Sequence, residues 1–493
     1  MGRRGREQKN TVAVNVLVLD VGTSSVRASV LRDDVSVAFE VGRELLPDSP
    51  ADGLVEFDAT ELARCTRTLA EEALAAAGPV DGVGICNQRA STVVWDRATG
   101  EPVGPALGWQ DLRTIGQCLG LRSAGLKFAP NQSATKLQWL VEQYDAAKTR
   151  DLCFGTVDTW IAWSLSNGSV YVTDPGNAGV TGLAAHGVDA WDASIAAALG
   201  VDHVAFPSIA DSAGASGAAS ALPGAPPIVA IVGDQQASLA GQACVKVGDA
   251  KITFGTGGML DVNLGDQPPQ FHQRSPAGTF PIVAWRVGGH TTWGAEAVML
   301  AAGTNVQWLR DDLGLVGSAE ETHTVAAACA DSGGVWFVPA PLGLGTPQWD
   351  YGARSALFGL TRGSGRAEVV RAVLEGIAHR GADLVEATEA DTSASIEVLR
   401  IDGGMSDNPT FVQALADATQ RAVEVSPARD ATTRGAGLVA LVALGAFPAI
   451  DSLSATWKPR MRVEPQRVLD RDRWREACVR AGHWIPELSS IDF

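Results

Sequence analysis

Short apolar segments typical of β-strands alternate with alanine-rich helical segments along nearly all of the 493 residues. This alternation limits the fold most, because strands that alternate with helices pack as sheets covered by helices. Strands are predicted within residues 12–20, 25–33, 80–88, 227–234, 251–264 and 397–404. Helices are predicted within residues 59–78, 134–148, 235–243, 408–420 and 433–447. The sequence therefore predicts an α/β fold with mixed sheets.

The two halves of the chain share a weak repeated pattern. A strand, a Gly-Thr turn and a second strand occur in LVLDVGTSSVRASVL and again in KITFGTGGMLDVNL. A strand, a Gly/Asp corner and a helix occur in IVGDQQASLAGQ and again in RIDGGMSDNPTFVQAL. We therefore expect two domains of similar plan, residues 11–242 and 243–493, with a cleft between them and a disordered tail at residues 1–10.

Composition excludes several classes of partner. The 56 acidic residues outnumber the 39 lysines and arginines, which gives a formal net charge of −17. Such a surface repels phosphate backbones and anionic lipid, so neither nucleic acid nor a membrane is an expected partner. The seven cysteines are scattered, without a CxxC pair, as is typical of reduced thiols in a cytoplasmic protein.

The first glycine turn has the chemistry of a phosphate site. After the strand that ends at Asp20, Gly22 allows a tight turn, and backbone N–H groups with the hydroxyls of the next three residues can surround a phosphate. Asp20 is a hard oxygen ligand suited to Mg²⁺, and Arg27 can offset phosphate charge. An ordinary Gly/Ser hairpin turn is the alternative interpretation. Neither the GxxxxGK[ST] nor the GxGxxG pattern follows this strand.

Three further motifs could complete such a site. A second glycine turn, residues 255–258, suits a polyphosphate held from both sides of a cleft. The paired glycines Gly403 and Gly404 precede a helix, where a flat base or ribose could lie against the backbone. Asp234 ends an apolar strand and could accept a proton from a hydroxyl nucleophile. A helix N-cap is the alternative interpretation of the last two motifs.

Taken in order, the motifs DVGTSSVR, NQRASTVVW, GWQDLRT, GDQQASLAGQ, TFGTGG and DGGMSDN make the chain resemble the FGGY carbohydrate kinases. The resemblance is greatest to members that phosphorylate glycerol, and it runs from about residue 12 to past residue 447. It implies two actin-like (ribonuclease H-like) ATPase domains that close over ATP, Mg²⁺ and a small polyol or sugar. It also implies a homodimer or homotetramer as a possible assembly.

The resemblance assigns roles to individual residues. Asp234 is the implied general base, and Asp20 and Asp234 are the implied metal-facing carboxylates. The implied acceptor-binding residues are Arg89, Trp109, Asn131, Asp234 and Gln235. The implied nucleotide-binding residues are Thr23, Ser24, Ser25, Arg27, Gly255, Thr256, Gly257, Gly303, Val306, Gln307, Gly403, Gly404 and Asn408.

The acceptor side departs from the family pattern in three places. Ala90 stands where the family has Glu, Asn131 where it has Tyr, and Met259 where it has Phe. These changes remove hydrogen-bonding groups and make room, so a tetritol, pentitol or pentulose is an alternative acceptor to glycerol. A non-catalytic, nucleotide-binding scaffold is a further alternative, which the acidic residue at position 234 disfavours.

Overall fold

A computed structural model describes residues 13–428 and 430–491, and the predicted tail at residues 1–10 lies outside the described residues. The strands of the described part are β1 (Asn15–Val21), β2 (Ser25–Arg32), β3 (Val37–Glu44), β4 (Glu56–Phe57), β5 (Gly82–Asn87), β6 (Val93–Asp96), β7 (Ala106–Leu107), β8 (Leu152–Gly155), β9 (Val172–Thr173), β10 (Ser208–Ile209), β11 (Ala213–Ala218), β12 (Pro227–Gly233), β13 (Ala250–Phe254), β14 (Gly258–Gly265), β15 (Phe280–Val287), β16 (His290–Met299), β17 (Trp336–Val338), β18 (Ala356–Phe358), β19 (Val398–Asp402), β20 (Ala422–Val425) and β21 (Met461–Val463).

The helices of the same part are α1 (Ala59–Ala77), α2 (Ile115–Ser123), α3 (Ser133–Tyr144), α4 (Val157–Leu165), α5 (Pro175–Gly179), α6 (Ala193–Ala198), α7 (Asp234–Gly241), α8 (Gly303–Asp311), α9 (Glu321–Ala326), α10 (Arg366–Thr392), α11 (Pro409–Thr419), α12 (Ala431–Ala443), α13 (Arg471–Ala481) and α14 (Pro486–Ser489). Two 3₁₀ helices cover Gly404–Asp407 and Ile450–Thr456. None of the helices in this described part is long and apolar enough to cross a membrane.

One large sheet runs through both halves of the described chain. Its thirteen strands lie in the order β21-β20-β19-β13-β14-β16-β15-β11-β12-β5-β1-β2-β3. The two halves meet where β11 pairs with β15, at Ala213 and Val287. The sheet is mixed, as the sequence predicts.

A five-strand plan occurs twice in this sheet. In the first half, β1 is antiparallel to β2, β2 is antiparallel to β3, and β5 and β12 continue the sheet parallel to β1. In the second half, β13, β14, β16, β19 and β20 repeat this order and these directions. The glycine turns at Gly22 and Gly255 occupy equivalent positions between the first two strands of each repeat.

The second predicted sequence match, between the corners at Asp234 and Gly403, is wrong in register. Strand β12 is the fifth strand of the first repeat, whereas β19 is the fourth strand of the second. The true counterpart of β12 and α7 is therefore β20 with α12. A strand, a corner and a helix follow one another at each connection between parallel strands of such a sheet. A short sequence pattern therefore cannot identify which of these connections it belongs to.

Strand β1 shows why the apolar segments become central strands. Leu17, Leu19 and Val21 belong to the apolar core on one face of the sheet, and Val16 and Val18 to the core on the other. Successive side chains of a strand point to opposite faces, so a continuous apolar run is stable where both faces are covered. This places β1, and the turn that follows it, in the centre of the first half.

The equivalent helices α7 and α12 pack against each other between the halves of the sheet. A Cβ atom at Gly435 would overlap the carbonyl oxygen of Ala237, and one at Gly241 would overlap that of Ala431. The two backbones therefore approach more closely than larger residues would allow. This contact brings the start of α12 next to the first glycine turn.

Candidate active site

Three parallel strands of the first half end side by side at the candidate site. Val21 at the end of β1 pairs with Asn87 of β5, which pairs with Gly233 of β12. Ligands of open α/β sheets bind at the carboxyl ends of such strands. Asp20 and Asp234 flank this edge, and burial raises the pKa of both carboxyls above the ordinary Asp value.

Asp234 is the first residue of α7, and its carboxylate has defined partners. Its Oδ1 accepts a hydrogen bond of 2.7 Å from the backbone N–H of Gln235 and lies 3.4 Å from Nε of Arg89. Burial raises its pKa, and the Arg89 charge partly opposes that shift. A carboxylate with a raised pKa is a stronger base, which suits proton transfer from a hydroxyl group.

Arg89 connects this carboxylate to the second half of the chain. Its guanidinium lies 2.5 Å from the Glu296 carboxylate on β16, and both side chains are largely buried. Glu296 lies opposite Asp261 of β14, which lies opposite Lys251 of β13. Lys251 and Asp261 are fully buried and 2.7 Å apart. Burial raises the pKa of Asp261 to about 7, and the neighbouring Lys251 ammonium opposes that shift.

Glu296, Lys251 and Asp261 were not predicted from the sequence. They lie on the face of β13, β14 and β16 that is opposite to Ile252, Leu260 and other apolar core residues. One sequence signal could have identified them: each is a charged residue within a strand whose neighbouring residues are mostly apolar. Such residues are rarely buried unless they are paired.

The first glycine turn is built as the sequence predicts. The Gly22 N–H donates to the Ser25 carbonyl over 3.0 Å and closes the turn. Trp109 donates from Nε1 to Thr23 Oγ1 at 3.1 Å, and the side chains of Ser24 and Ser25 are exposed. The turn therefore presents free hydroxyl groups beside Asp20.

Arg27 contacts the start of α12 from the second half. Its guanidinium forms an ion pair with Asp430 and lies 3.4 Å from Thr433 Oγ1. The Thr433 hydroxyl in turn donates to Asp20 Oδ2 at 3.2 Å. Asp430 and Thr433 were not predicted, because only the packing of α7 on α12 brings them to this turn.

The second glycine turn is joined to the N-terminus of α8. Gly303 donates its N–H to the Gly255 carbonyl at 2.9 Å, and Ala302 donates to the Thr256 carbonyl at 2.8 Å. A Cβ at Gly257 would lie 2.7 Å from the Met299 carbonyl oxygen, so glycine is required there. Gly255 and Thr256 are exposed.

The paired glycines lie next to the same turn. Gly403 has a φ of 84°, and a Cβ there would overlap the carbonyl oxygen of Phe254, the residue before Gly255. A Cβ at Gly404 would meet open space. The Asn408 side chain caps α11 by accepting from the Phe411 N–H at 3.1 Å, and it donates to Thr322 at 2.8 Å. The N-cap interpretation therefore describes Asn408.

Two residues of α8 complete the predicted nucleotide set. Val306 is buried in the core of the second half, whereas the Gln307 side chain is exposed. Gln307 is therefore the one of this pair that can reach a ligand directly.

A buried lysine holds the loop that contains the predicted acceptor-binding residue Asn131. Lys136 on α3 donates to the carbonyl oxygens of Pro130 at 2.6 Å and of Trp109 at 3.3 Å. Burial lowers its pKa to about 7. Lys136 therefore holds the predicted residue Asn131, whose side chain is exposed, in the loop that is connected to Trp109.

The other two departures from the family pattern lie on different elements. Ala90 is buried in the left-handed conformation with a φ of 61°, and its carbonyl accepts from Ser133 Oγ at 2.9 Å. Met259 shares the face of β14 with Asp261, because residues two apart point to the same side of a strand.

The carboxylates present fit a magnesium ion. In residues 13–428 and 430–491 no group of three or more His, Cys, Asp or Glu side chains could hold a metal by itself. Mg²⁺ keeps several waters and commonly binds through one or two carboxylates and substrate phosphates, so Asp20 and Asp234 are a sufficient protein donor set.

Comparison with known proteins identifies the family of this chain. Models of the N-terminal and C-terminal domains of the FGGY family of carbohydrate kinases match residues 15–241 and 250–444. Glycerol kinases from Aromatoleum aromaticum and Dechloromonas aromatica are 40% and 39% identical to this chain. Each alignment covers 95% of this chain, and they cover 99% and 98% of those proteins.

Solved structures give the same result. The glycerol kinase of Plasmodium falciparum with ADP has a TM-score of 0.86 at 26% identity, over 97% of this chain and 99% of that one. A xylulose kinase from Rhodospirillum rubrum has a TM-score of 0.82 at 20% identity, over 94% and 98%, and shows the fold alone. The predicted fold of two actin-like domains is confirmed. Since the two family models together match most of its length, this chain belongs to the FGGY family of carbohydrate kinases.

Proposed function

We propose that this protein transfers the γ-phosphoryl group of ATP to a primary hydroxyl of a small polyol, with glycerol as the first candidate. The observation that carries the proposal is the position of Asp234, a half-buried carboxylate beside Arg89 at the edge where the first glycine turn also lies. The ~40% identity to glycerol kinases over 95% of the chain supports the choice of acceptor.

In this proposal Asp234 accepts the proton of the attacking hydroxyl, and Arg89 orients the acceptor while Glu296 holds the guanidinium in place. The N–H groups and hydroxyls of the two glycine turns stabilise the charge on the transferring phosphoryl group. Mg²⁺, bound near Asp20 and Asp234, would neutralise charge on the phosphates. Exclusion of water by closure of the two halves would limit hydrolysis of ATP.

The two halves have separate tasks in this proposal. Residues 11–242 hold the acceptor and the first glycine turn, and residues 243–493 hold most of the nucleotide. Gly404 and Gln307 supply the open backbone and the exposed side chain for the nucleoside. We also infer a cytoplasmic location, which suits an ATP-dependent enzyme whose seven cysteines are all free thiols.

A longer polyol or a ketose is the second candidate acceptor. Ala90 follows Arg89 in the chain, and Met259 shares a face of β14 with Asp261. Ala and Met are smaller or more flexible than the Glu and Phe of the family pattern. Several lost hydrogen bonds, each contributing about 0.5–1.5 kcal/mol, would weaken glycerol binding considerably.

The test is acceptor-dependent release of ADP by the purified protein with C3 to C6 polyols and ketoses. We expect turnover with at least one acceptor, and Asp234→Asn is expected to abolish it while ATP still binds. Asp192→Asn is the control, because Asp192 is a half-buried N-cap of α6 far in sequence from these motifs, and Asn is also a good N-cap. Near-normal turnover in Asp234→Asn would refute the assigned base. A wild-type protein that binds ATP but shows no acceptor-stimulated turnover would favour the scaffold alternative.

A further inference from the structure

The Gln235 side chain is held by a hydrogen bond from a buried lysine. Lys251 Nζ donates to Gln235 Oε1 at 2.7 Å and to Thr253 Oγ1 at 3.0 Å, and it lies 2.7 Å from the Asp261 carboxylate. Two hydrogen bonds and one ion pair therefore hold the ammonium group from three sides. The ammonium therefore has one position, set by two strands of the second half.

This contact decides how the Gln235 amide is oriented. A lysine ammonium can only donate a hydrogen bond, so the amide atom that faces Lys251 must be the oxygen. Gln235 is partly exposed, and its NH₂ group is the end of the amide that can donate to a ligand. Asp234, the adjacent residue, presents a carboxylate that only accepts. Toward an acceptor molecule, Asp234 therefore accepts a hydrogen bond and Gln235 donates one.

We propose that Lys251, held by Asp261, is a positioning residue that fixes Gln235 as a hydrogen-bond donor to an oxygen of the acceptor substrate. This inference rests on the proposed function. It adds a contact: beside the hydroxyl that loses its proton to Asp234, a second oxygen of the acceptor, hydroxyl or carbonyl, receives a hydrogen bond from Gln235.

The network also explains why an acidic residue is buried in β14. Neither side chain of the Lys251–Asp261 pair is exposed to solvent, and Asp261 lies between Lys251 on one side and Glu296 on the other. A buried pair of this kind contributes little to stability compared with apolar residues of similar size. The pair therefore acts through position: Lys251 contacts Gln235, and Asp261 lies beside Glu296, the partner of Arg89.

The first test removes the pair as a unit, because Lys251→Met alone would leave Asp261 buried and unpaired. In the double variant Lys251→Met/Asp261→Leu we expect the acceptor KM to rise about tenfold, with a smaller change in kcat and an unchanged ATP KM. Asp261→Asn keeps an oxygen for Lys251 and is expected to raise the acceptor KM less. An acceptor KM within twofold of wild type in the double variant would overturn the proposal, as would an equal rise in both KM values.

The second test changes the polarity of Gln235 itself. Gln235→Glu keeps the contact with Lys251 but cannot donate to the substrate, so it is expected to raise the glycerol KM as much as Gln235→Leu does. If Gln235→Glu instead bound glycerol like wild type, the donor role would be wrong. Failure of the wild-type protein with every acceptor would count against the proposed function, and it is distinguished from these outcomes because no acceptor KM could then be measured.

Discussion

Replacement of Glu296 by Gln tests whether Glu296 keeps Arg89 from pairing more closely with Asp234, the proposed general base. Arg89 lies 2.5 Å from Glu296 and 3.4 Å from Asp234, so Glu296 holds the guanidinium away from the base. Gln has nearly the same shape but no charge. Arg89 would then move toward Asp234, whose pKa would fall because the Glu296 charge that helps to raise it is gone. One hydrogen bond to a charged group contributes about 1.5–3 kcal/mol, which corresponds to roughly a 10- to 150-fold loss in kcat/KM for the acceptor.

The assay is release of ADP at saturating ATP, with acceptor concentration and pH varied. We expect the acidic limb of the pH profile to move to lower pH in Glu296→Gln, since a weaker base is deprotonated at lower pH. Glu321→Gln is the matched control: it removes a carboxylate 2.5 Å from Arg366 on the surface and is expected to leave activity unchanged. A kcat/KM within twofold of wild type in folded Glu296→Gln would refute this reasoning.

Two further substitutions test the supporting structure. Lys136→Met frees the loop that is connected to Trp109, so the acceptor KM is expected to rise about tenfold while the ATP KM stays constant. The folded-state pKa of Lys136 is lowered to about 7, so the unfolded chain binds more protons above that pH, and the thermal midpoint of wild type relative to Lys136→Met is expected to increase between about pH 7 and pH 9. Gly435→Ala places a Cβ against the Ala237 carbonyl and is expected to destabilise the protein by about 1–3 kcal/mol, measured as a lower thermal midpoint. Gly116→Ala in α2, where a Cβ meets no atom within 4 Å, is expected to be neutral or slightly stabilising; equal midpoints in the two variants would contradict the packing argument.

Local sequence patterns were sufficient for the elements around the site. The strand predicted over residues 12–20 is β1 at Asn15–Val21, and the helix predicted after Asp234 is α7. Both depend on features that neighbouring residues carry: an apolar run, a glycine turn, and an acid at the start of a helix. The register of the internal repeat could not be predicted in the same way, because strand order in a sheet depends on contacts between residues that are far apart in the sequence.

The residues of the candidate site fall into the same two groups: those that stand in a local motif, and those that reach the site through packing between distant segments. Asp20, Asp234 and the glycine turns were found because each stands in a recognisable local motif. Glu296 and Thr433 were not found, since each reaches the site only through packing between the two halves. A charge on an apolar strand indicates a buried partner, but the sequence does not indicate which partner it is.

The departures from the family pattern change side chains while the backbone around them is held. Ala90 keeps a left-handed φ of 61°, a conformation that costs an alanine roughly 1 kcal/mol, and its carbonyl still accepts from Ser133. The loop that contains Asn131 is likewise held by the hydrogen bond from Lys136 to Pro130. Because the backbone is held in this way, we expect the changed side chains at positions 90 and 131, and not a rearranged backbone, to decide which acceptor length is preferred.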